Sequence, residues 1–468
     1  MDEIRISGIW KFVSLKEKEV KGDLLLNPTN GIINLIVYSE DSLGIYSEFD
    51  TIIGQSIYGS NITLYNCYVS KETIHMGASK PYRSTIVAEA MFDGITFESK
   101  EDILFHEVIF RFTNLDEWAY MKGFELYKVE DCDFSLVYKT PKEIEYKVDD
   151  ETSLVIYCSL TSPLGLIVEK EVTVTQKVYV SVKHKKPQPF EKSLNVIRTL
   201  MNFVSLSIGK AVYLTEISGF NHNLFQIIND KEDKIYHKIP VYTVDLKNEN
   251  YKPIDPRMVL VNLQDIKSNF QLYMDKWFEK SKLLQPVIDL YLNTLNYKEM
   301  SIERHFLNLV QALESYHRRT RNNYVIDPEK HRLKIQTILD SVPEEYRSWL
   351  RERLNFSHEP TLQDRLLDLL PDNEDIFLFF NGYEEAKSFI KKVKHTRNYH
   401  THYDLKLEKK ALKGEDLKFA CWILRSMVEY LLLHELDLPK ETIHRKMRAQ
   451  TKRIRDIQTI LKYRRKVK

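Results

Sequence analysis

Short runs in which apolar and polar residues alternate dominate roughly the first 188 positions, and Gly and Asn turn residues separate them. Ile33, Leu35 and Val37 mark one such run, and Val172, Val174, Val178, Val180 and Val182 mark another. A period of two buries one face of each strand, so these positions predict the core side of an antiparallel β-rich domain. Gly8, Gly22, Gly31, Gly44, Gly54, Gly59, Gly77 and Gly94 recur at intervals suited to the hairpin turns of a sandwich or open barrel. None forms a phosphate-cradling glycine loop ahead of a helix, which argues against a nucleotide-binding α/β fold. Trp10 and Trp118 are read as core anchors rather than base-stacking platforms.

The period changes after residues 183–189, where a basic run and two prolines predict a linker that stops the strand. Leu194, Ile197, Leu200, Met201, Val204 and Ile208 then fall at helical spacing before Gly209. Short strands are expected around 211–217 and 240–245, and helix dominates from about Asn262. Phe306, Leu309, Val310, Leu313 and Tyr316 form one apolar stripe, and further helices are expected at 333–339, 344–354, 362–369, 384–402 and 416–436. Short connections between them favour antiparallel neighbours in an all-α bundle. The pattern therefore predicts an α+β multidomain chain. Its parts are a β-rich domain over 1–188, a mixed α/β continuation over 189–297, a helical bundle over 298–440 and a basic helix or tail over 441–468.

Length and charge sharpen this division. A chain of 468 residues, 43% hydrophobic, exceeds what one core usually serves. The formal net charge of +1 hides an asymmetry: in 445–468 eleven Lys and Arg face one Asp, a local +10 that leaves −9 for the rest. A basic tail on a slightly acidic body predicts a polyanion partner. Cys67, Cys132, Cys158 and Cys421 are too scattered for a zinc site or a disulfide framework, which fits a reducing cytoplasm. The acidic start of the chain does not read as a signal peptide, and apolar stretches such as 430–433 are too short to cross a bilayer. A cytoplasmic protein without a membrane partner is expected.

The candidate chemistry sits in Arg397-Asn398-Tyr399-His400-Thr401-His402, within a strongly helical stretch. A permanently charged guanidinium can hold a phosphate, and an imidazole can move a proton near neutral pH. Together they supply what metal-free phosphodiester cleavage needs. Spacing alone is weak support, because Arg353 stands five positions before His358 just as Arg397 stands before His402. Pro360 follows that second pair closely, and Leu354 and Phe356 within it suit core packing, so it is read as structural. Around Arg397 the neighbours His395, Asn398, Tyr399, His400 and Thr401 are polar or ring-bearing, a costly set to bury without purpose. Five residues at about 100° each place the Arg397 and His402 Cα positions roughly 140° apart on a regular helix. Either the helix loosens near His402, or a second copy of the motif completes the site across a two-fold axis.

Arg-Asn-x-x-x-His on a late helix, preceded by Phe306-Leu307-Asn308-Leu309-Val310-Gln311-Ala312-Leu313-Glu314 and followed by a long apolar helix, resembles a HEPN domain of the ApeA type. The first half is similar to the β-rich domain that accompanies it, through Gly8-Ile9-Trp10, Val20-Lys21-Gly22-Asp23-Leu24, Ile53-Gly54-Gln55, Ile62-Thr63-Leu64 and Asn114-Leu115-Asp116-Glu117-Trp118. The order of these segments carries the resemblance, which covers most of the chain up to about residue 441. It implies a metal-independent RNA endonuclease that needs no cofactor. It further implies a homodimer or higher homo-oligomer, and antiphage defence by abortive infection with an unknown phage-derived trigger. By resemblance, Arg397 and His402 are the catalytic pair and Asn398 the polar residue that accompanies them. His402 would activate the ribose 2′-OH or protonate the leaving oxygen, while Arg397 stabilises the phosphate oxygens.

Supporting residues form a second tier. Glu314 and His317, one helical turn apart, are candidates to brace the motif, with an ion pair on the surface as the favoured account of the two, and His400 joins them from the polar company of Arg397. Arg318, Arg319, Arg321, Lys452, Arg453 and Arg455 are candidates for phosphate contacts with the RNA substrate; for the first three, a solvated helix end accounts for the pattern equally well. His395, His400 and His402 lack an acidic partner at ligand spacing, so no metal is expected there.

Overall fold

The computed structural model describes residues 3–449, apart from 16–17, 29–30, 75–81, 129–133, 162–172, 229–232, 248–250, 297–299 and 372. The chain divides into two compact units, one of residues 1–208 with 212–274 and the other of 209–211 with 275–468.

The first unit is built on β1 (Ile4–Phe12), β2 (Lys18–Asn27), β3 (Ile32–Ser39), β4 (Glu48–Ser56), β5 (Asn61–Ile74), β6 (Tyr82–Asp93) and β7 (Leu104–Phe112). Then come α1 (Leu115–Ala119), the hairpin of β8 (Phe124–Lys128) and β9 (Phe134–Tyr138), and β10 (Ile144–Lys147), β11 (Thr152–Thr161) and β12 (Thr175–Pro189). Helix α2 (Phe190–Ile208) leads to β13 (Leu214–Phe220), the hairpin of β14 (Phe225–Ile228) and β15 (Asp233–Tyr236), β16 (Ile239–Thr243) and the single turn α3 (Leu263–Ile266). Twelve strands join one sheet in the order β10-β11-β12-β7-β13-β16-β6-β3-β2-β1-β4-β5, and β5 pairs back onto β6. That pairing closes β1 to β6 into a six-stranded barrel, which removes two edges that would otherwise need protection.

Alternation does what it predicted inside the barrel. Ile33, Leu35 and Val37 are buried, as are Trp10, Leu24, Ile52, Leu64 and Ile86 around them. Trp10 lies opposite Gly54 in the β1–β4 register, and its indole N–H donates to the Gly22 carbonyl at 3.2 Å. A Cβ on Gly54 would come within 2.3 Å of the indole ring, so only glycine lets that ring lie against β4. Trp118, on α1, is also fully buried.

Residues 183–189, expected to be a linker, are instead the end of β12. The β12–β7 register shifts between Lys183 and Gln188, and an irregular ladder followed by a strand end is where prolines without amide donors are tolerated. Helix α2 follows at once, and β13 and β16 then carry the sheet past residue 188. His184 ties β12 to this helix: its Nδ1 lies 3.2 Å from the Thr152 hydroxyl and its Nε2 lies 2.8 Å from the Ser193 hydroxyl, with all three groups buried.

The second unit is helical. After α4 (Phe270–Asn296) come α5 (Ile302–Thr320), α6 (Pro328–Asp340), α7 (Glu344–Leu354), α8 (Leu362–Asp368), α9 (Tyr383–His402), α10 (Leu405–Glu408) and α11 (Gly414–His434). The stripe of Phe306, Leu309, Val310, Leu313 and Tyr316 is buried, and α5 packs against α8, α9 and α11. Together the two units give the α+β architecture that the residue pattern predicted. Among the described residues no helix is long and apolar enough to cross a membrane.

Burial, and then Lys192, push the His184 pKa down from 6.5 to about 4. The unfolded chain therefore takes up a proton that the fold rejects, so this group's contribution is whole above about pH 6.5 and is lost as pH falls toward about 4. Between about pH 7.5 and about pH 4.5 the loss amounts to roughly 2.5 kcal/mol. Urea unfolding at those two pH values is expected to show this drop in the wild type and a smaller one in His184→Asn. Equal drops in both proteins would contradict it.

Candidate active site

Helix α9 presents the motif. Ala386, Ile390, Val393 and Thr396 form its buried stripe, and His400 continues it at the next turn. The Thr396 hydroxyl donates to the Lys392 carbonyl at 2.8 Å and accepts the Leu412 amide at 2.9 Å, which fastens the chain after α10 to this face. Arg397 borders the stripe and is half-buried. Its Nη1 donates to Asn398 Oδ1 at 3.2 Å, and its Nη2 lies 4.0 Å from Glu314 Oε2 on α5.

The helix does not loosen before the motif ends. Helical residues run unbroken to His402, and the Tyr403 amide closes the last turn on the Tyr399 carbonyl at 2.6 Å. Tyr403 then takes a left-handed conformation with φ of 52° and stops the helix. Two residues beyond His400, His402 falls on the opposite face and is exposed. One chain thus brings Arg397, Asn398 and Glu314 together but turns the His402 imidazole elsewhere. His400 points into the bundle, edge-on to Phe306, where burial pushes its pKa down and its Nε2 has no hydrogen-bond partner among the described residues.

Arg397 lines a cleft of about 490 Å³ between α5 and α9, together with Arg304, Asn308, Gln311, Glu314 and Arg318. His402 is not among its lining residues. Glu314 reaches both Arg397 and Arg318, the latter at 3.6 Å, so it is a shared partner rather than half of a simple surface pair with His317. Arg318 also meets Glu359 at 3.0 Å, and the same Glu359 oxygen accepts from Arg365 Nη2 at 3.0 Å.

Arg365 is the buried end of this chain of charges, with 0% of its surface exposed. Its Nη1 contacts Asn323 and lies 3.1 Å from His317 Nδ1, while His317 Nε2 lies 3.2 Å from Asp368. A guanidinium can only donate, so His317 accepts at Nδ1 and carries its proton at Nε2 toward Asp368. Burial, and then Arg365, lower the His317 pKa, in keeping with a neutral ring. His317 therefore anchors Arg365 and does not reach Arg397.

Arg319 and Arg321 do not line the cleft. Arg319 donates to the Leu283 carbonyl at 2.7 Å, and Arg321 lies 3.8 Å from Asp368. Lys452, Arg453 and Arg455 fall outside the described residues. Arg353 is exposed at the end of α7, and His358 stacks on Tyr324 with ring centroids 5.5 Å apart. Phe356, read as a core residue, is instead 68% exposed, because the chain turns immediately after α7. Among the described residues no three His, Cys, Asp or Glu side chains gather as a metal would require.

Sequence reasoning missed Arg365, Glu359 and Arg304. For Arg365 a sign was present: Leu362, Arg365, Leu366 and Leu369 sit at apolar-stripe spacing, so a guanidinium occupies a core position.

Two family models match the chain. ApeA N-terminal domain 1 covers residues 5–277, more than half of its length, and Apea-like HEPN covers 307–442. No curated protein and no solved structure matches it.

Removing Arg365 takes the donor from the buried His317 Nδ1, while Glu359 keeps Arg318. Arg365→Met is expected to destabilise the chain by about 2 kcal/mol, the cost of one buried acceptor left unsatisfied, and Arg365→Lys, which keeps charge without the fork, by less. Urea unfolding followed by circular dichroism measures both. A Met variant within about 0.5 kcal/mol of wild type would contradict the role given to this side chain.

Proposed function

The chain belongs to the ApeA-like HEPN family, and from that premise we propose that it is a metal-independent RNA endonuclease serving antiphage defence by abortive infection. Membership places it among proteins associated with nuclease activity and with defence in general. The observation that carries the finer reading is the half-buried Arg397 guanidinium at a polar cleft, with an exposed imidazole five residues on along the same helix.

In this reading His402 takes the proton from the ribose 2′-OH, and the 2′-oxygen attacks the neighbouring phosphorus. Arg397, oriented by Asn398 and Glu314, stabilises the negative charge that builds on the equatorial oxygens. The 5′-oxygen leaves as the alcohol, taking its proton from the solvent, while the His402 imidazolium later gives up the one it took, and a 2′,3′-cyclic phosphate remains. DNA lacks the attacking hydroxyl and is spared. Because α9 stays regular, the Arg397 of one copy would work with the His402 of a second across a two-fold axis. The phage-derived trigger acts through the β-rich unit in this account, which keeps a nuclease harmful to its host at rest.

Arg397→Ala is expected to lower cleavage of total RNA in chelator by about 10²- to 10³-fold, and His402→Ala by about 10²- to 10⁴-fold. Arg353→Ala and His358→Ala should leave it unchanged. Product ends carrying 2′,3′-cyclic phosphate are the expected chemical signature. Cleavage that survives both motif substitutions would overturn the assignment. RNA binding without cleavage under every trigger would favour a non-catalytic scaffold instead.

A further inference from the structure

Helix α5 carries a second pattern beside its buried stripe. Arg304, Asn308, Gln311, Ser315 and Arg318 recur at alternating intervals of four and three, which places them on one face. All five line the cleft into which Arg397 also opens. Core residues Phe306, Leu309, Val310 and Leu313 hold the other side of the helix, so this face is fixed in direction by packing.

The two ends of the stripe differ in how they are held. Arg318 meets Glu314 and Glu359, with buried Arg365 behind Glu359. Arg304 is exposed, and among the described residues no carboxylate pairs with it. Three guanidiniums face one carboxylate, Glu314, within the lining. Such an excess favours an anion, and the amide and hydroxyl groups of Asn308, Gln311 and Ser315 between them suit phosphate and sugar oxygens.

Length then selects the anion. Arg304 and Arg318 are fourteen residues apart, about 21 Å along the helix axis, too far to close on one phosphate. A mononucleotide can meet one of them. A polynucleotide backbone can meet both, with Arg397 engaging a phosphate beside the track.

We propose that the α5 face from Arg304 to Arg318 is the track for the backbone of single-stranded RNA, and that Arg304 holds a phosphate several nucleotides from the one at Arg397. This rests on the ribonuclease reading of Arg397 and His402 and adds to it the direction in which the strand lies. It also gives Arg304 and Gln311, which among the described residues form no hydrogen bond or ion pair with the motif, a role in binding rather than in chemistry.

The test uses the full chain and a fluorescent 2′-O-methyl oligoribonucleotide, which cannot supply the attacking hydroxyl, with anisotropy measured across a salt series. Arg304→Gln is expected to weaken binding about fivefold and to reduce the slope of log affinity against log salt by about 0.7, the loss of one phosphate contact. Arg304→Lys should restore most of the slope, because a point charge suffices for counterion release. AMP at the same concentration should not displace the strand. Unchanged affinity and slope in Arg304→Gln would overturn the track, as would displacement by AMP. Undiminished cleavage in Arg397→Ala and His402→Ala would instead sink the ribonuclease reading, and it is measured separately from binding.

Discussion

The regularity of one helix governs what this molecule can do. Hydrogen bonds along α9 hold to its last residue, so five residues of separation turn Arg397 toward the cleft and His402 to the outside. A kink or an early stop would have brought both side chains onto one phosphate within a single chain. The buried stripe from Ala386 to Thr396, and the fastening of Leu412 to Thr396, oppose such a kink. Under the proposed ribonuclease reading, this constraint divides the site between two copies. It also offers control, since separated chains would each hold only half of the machinery.

The cleft depends in turn on a charge that water never reaches. Arg365 lies in the core of the helical unit, where Glu359, Asn323 and His317 take its Nη1 and Nη2 donors and Nε has no partner among the described residues. Glu359 passes the constraint to Arg318, and Glu314 passes it to Arg397. A buried ion pair is poor evidence of stability, since replacing both partners together by apolar residues of similar volume often costs nothing, whereas removing one alone does cost. Its value here lies in geometry. Guanidiniums that would otherwise sweep through solvent are aimed into one opening.

Much of this was legible from residue order, and the exceptions have physical causes. The helices at 344–354 and 384–402 could be read almost to the residue, because Pro343 and Gly382 stand just before them and paired glutamates, Glu344-Glu345 and Glu384-Glu385, open their first turns. The strand through residues 183–189 was not legible, because prolines end most strands and only the shifted register beside β7 tolerates them here. Phe356 misled in the opposite direction, since an apolar residue in a turn can remain on the surface. The divergence of Arg397 and His402 followed from helical geometry alone. The part Arg365 plays could not be read, because which carboxylates converge on it depends on how α5 and α8 pack.

Subunit mixing tests the divided site most directly. Arg397→Ala and His402→Ala proteins, each inactive alone, would be unfolded, mixed in equal amounts and refolded together. A site built from the Arg397 of one copy and the His402 of the other leaves one intact pair in each mixed dimer, so activity should return to about a quarter of the wild-type level. A mixture as inactive as its parts, with mixed dimers demonstrably formed, would contradict the account.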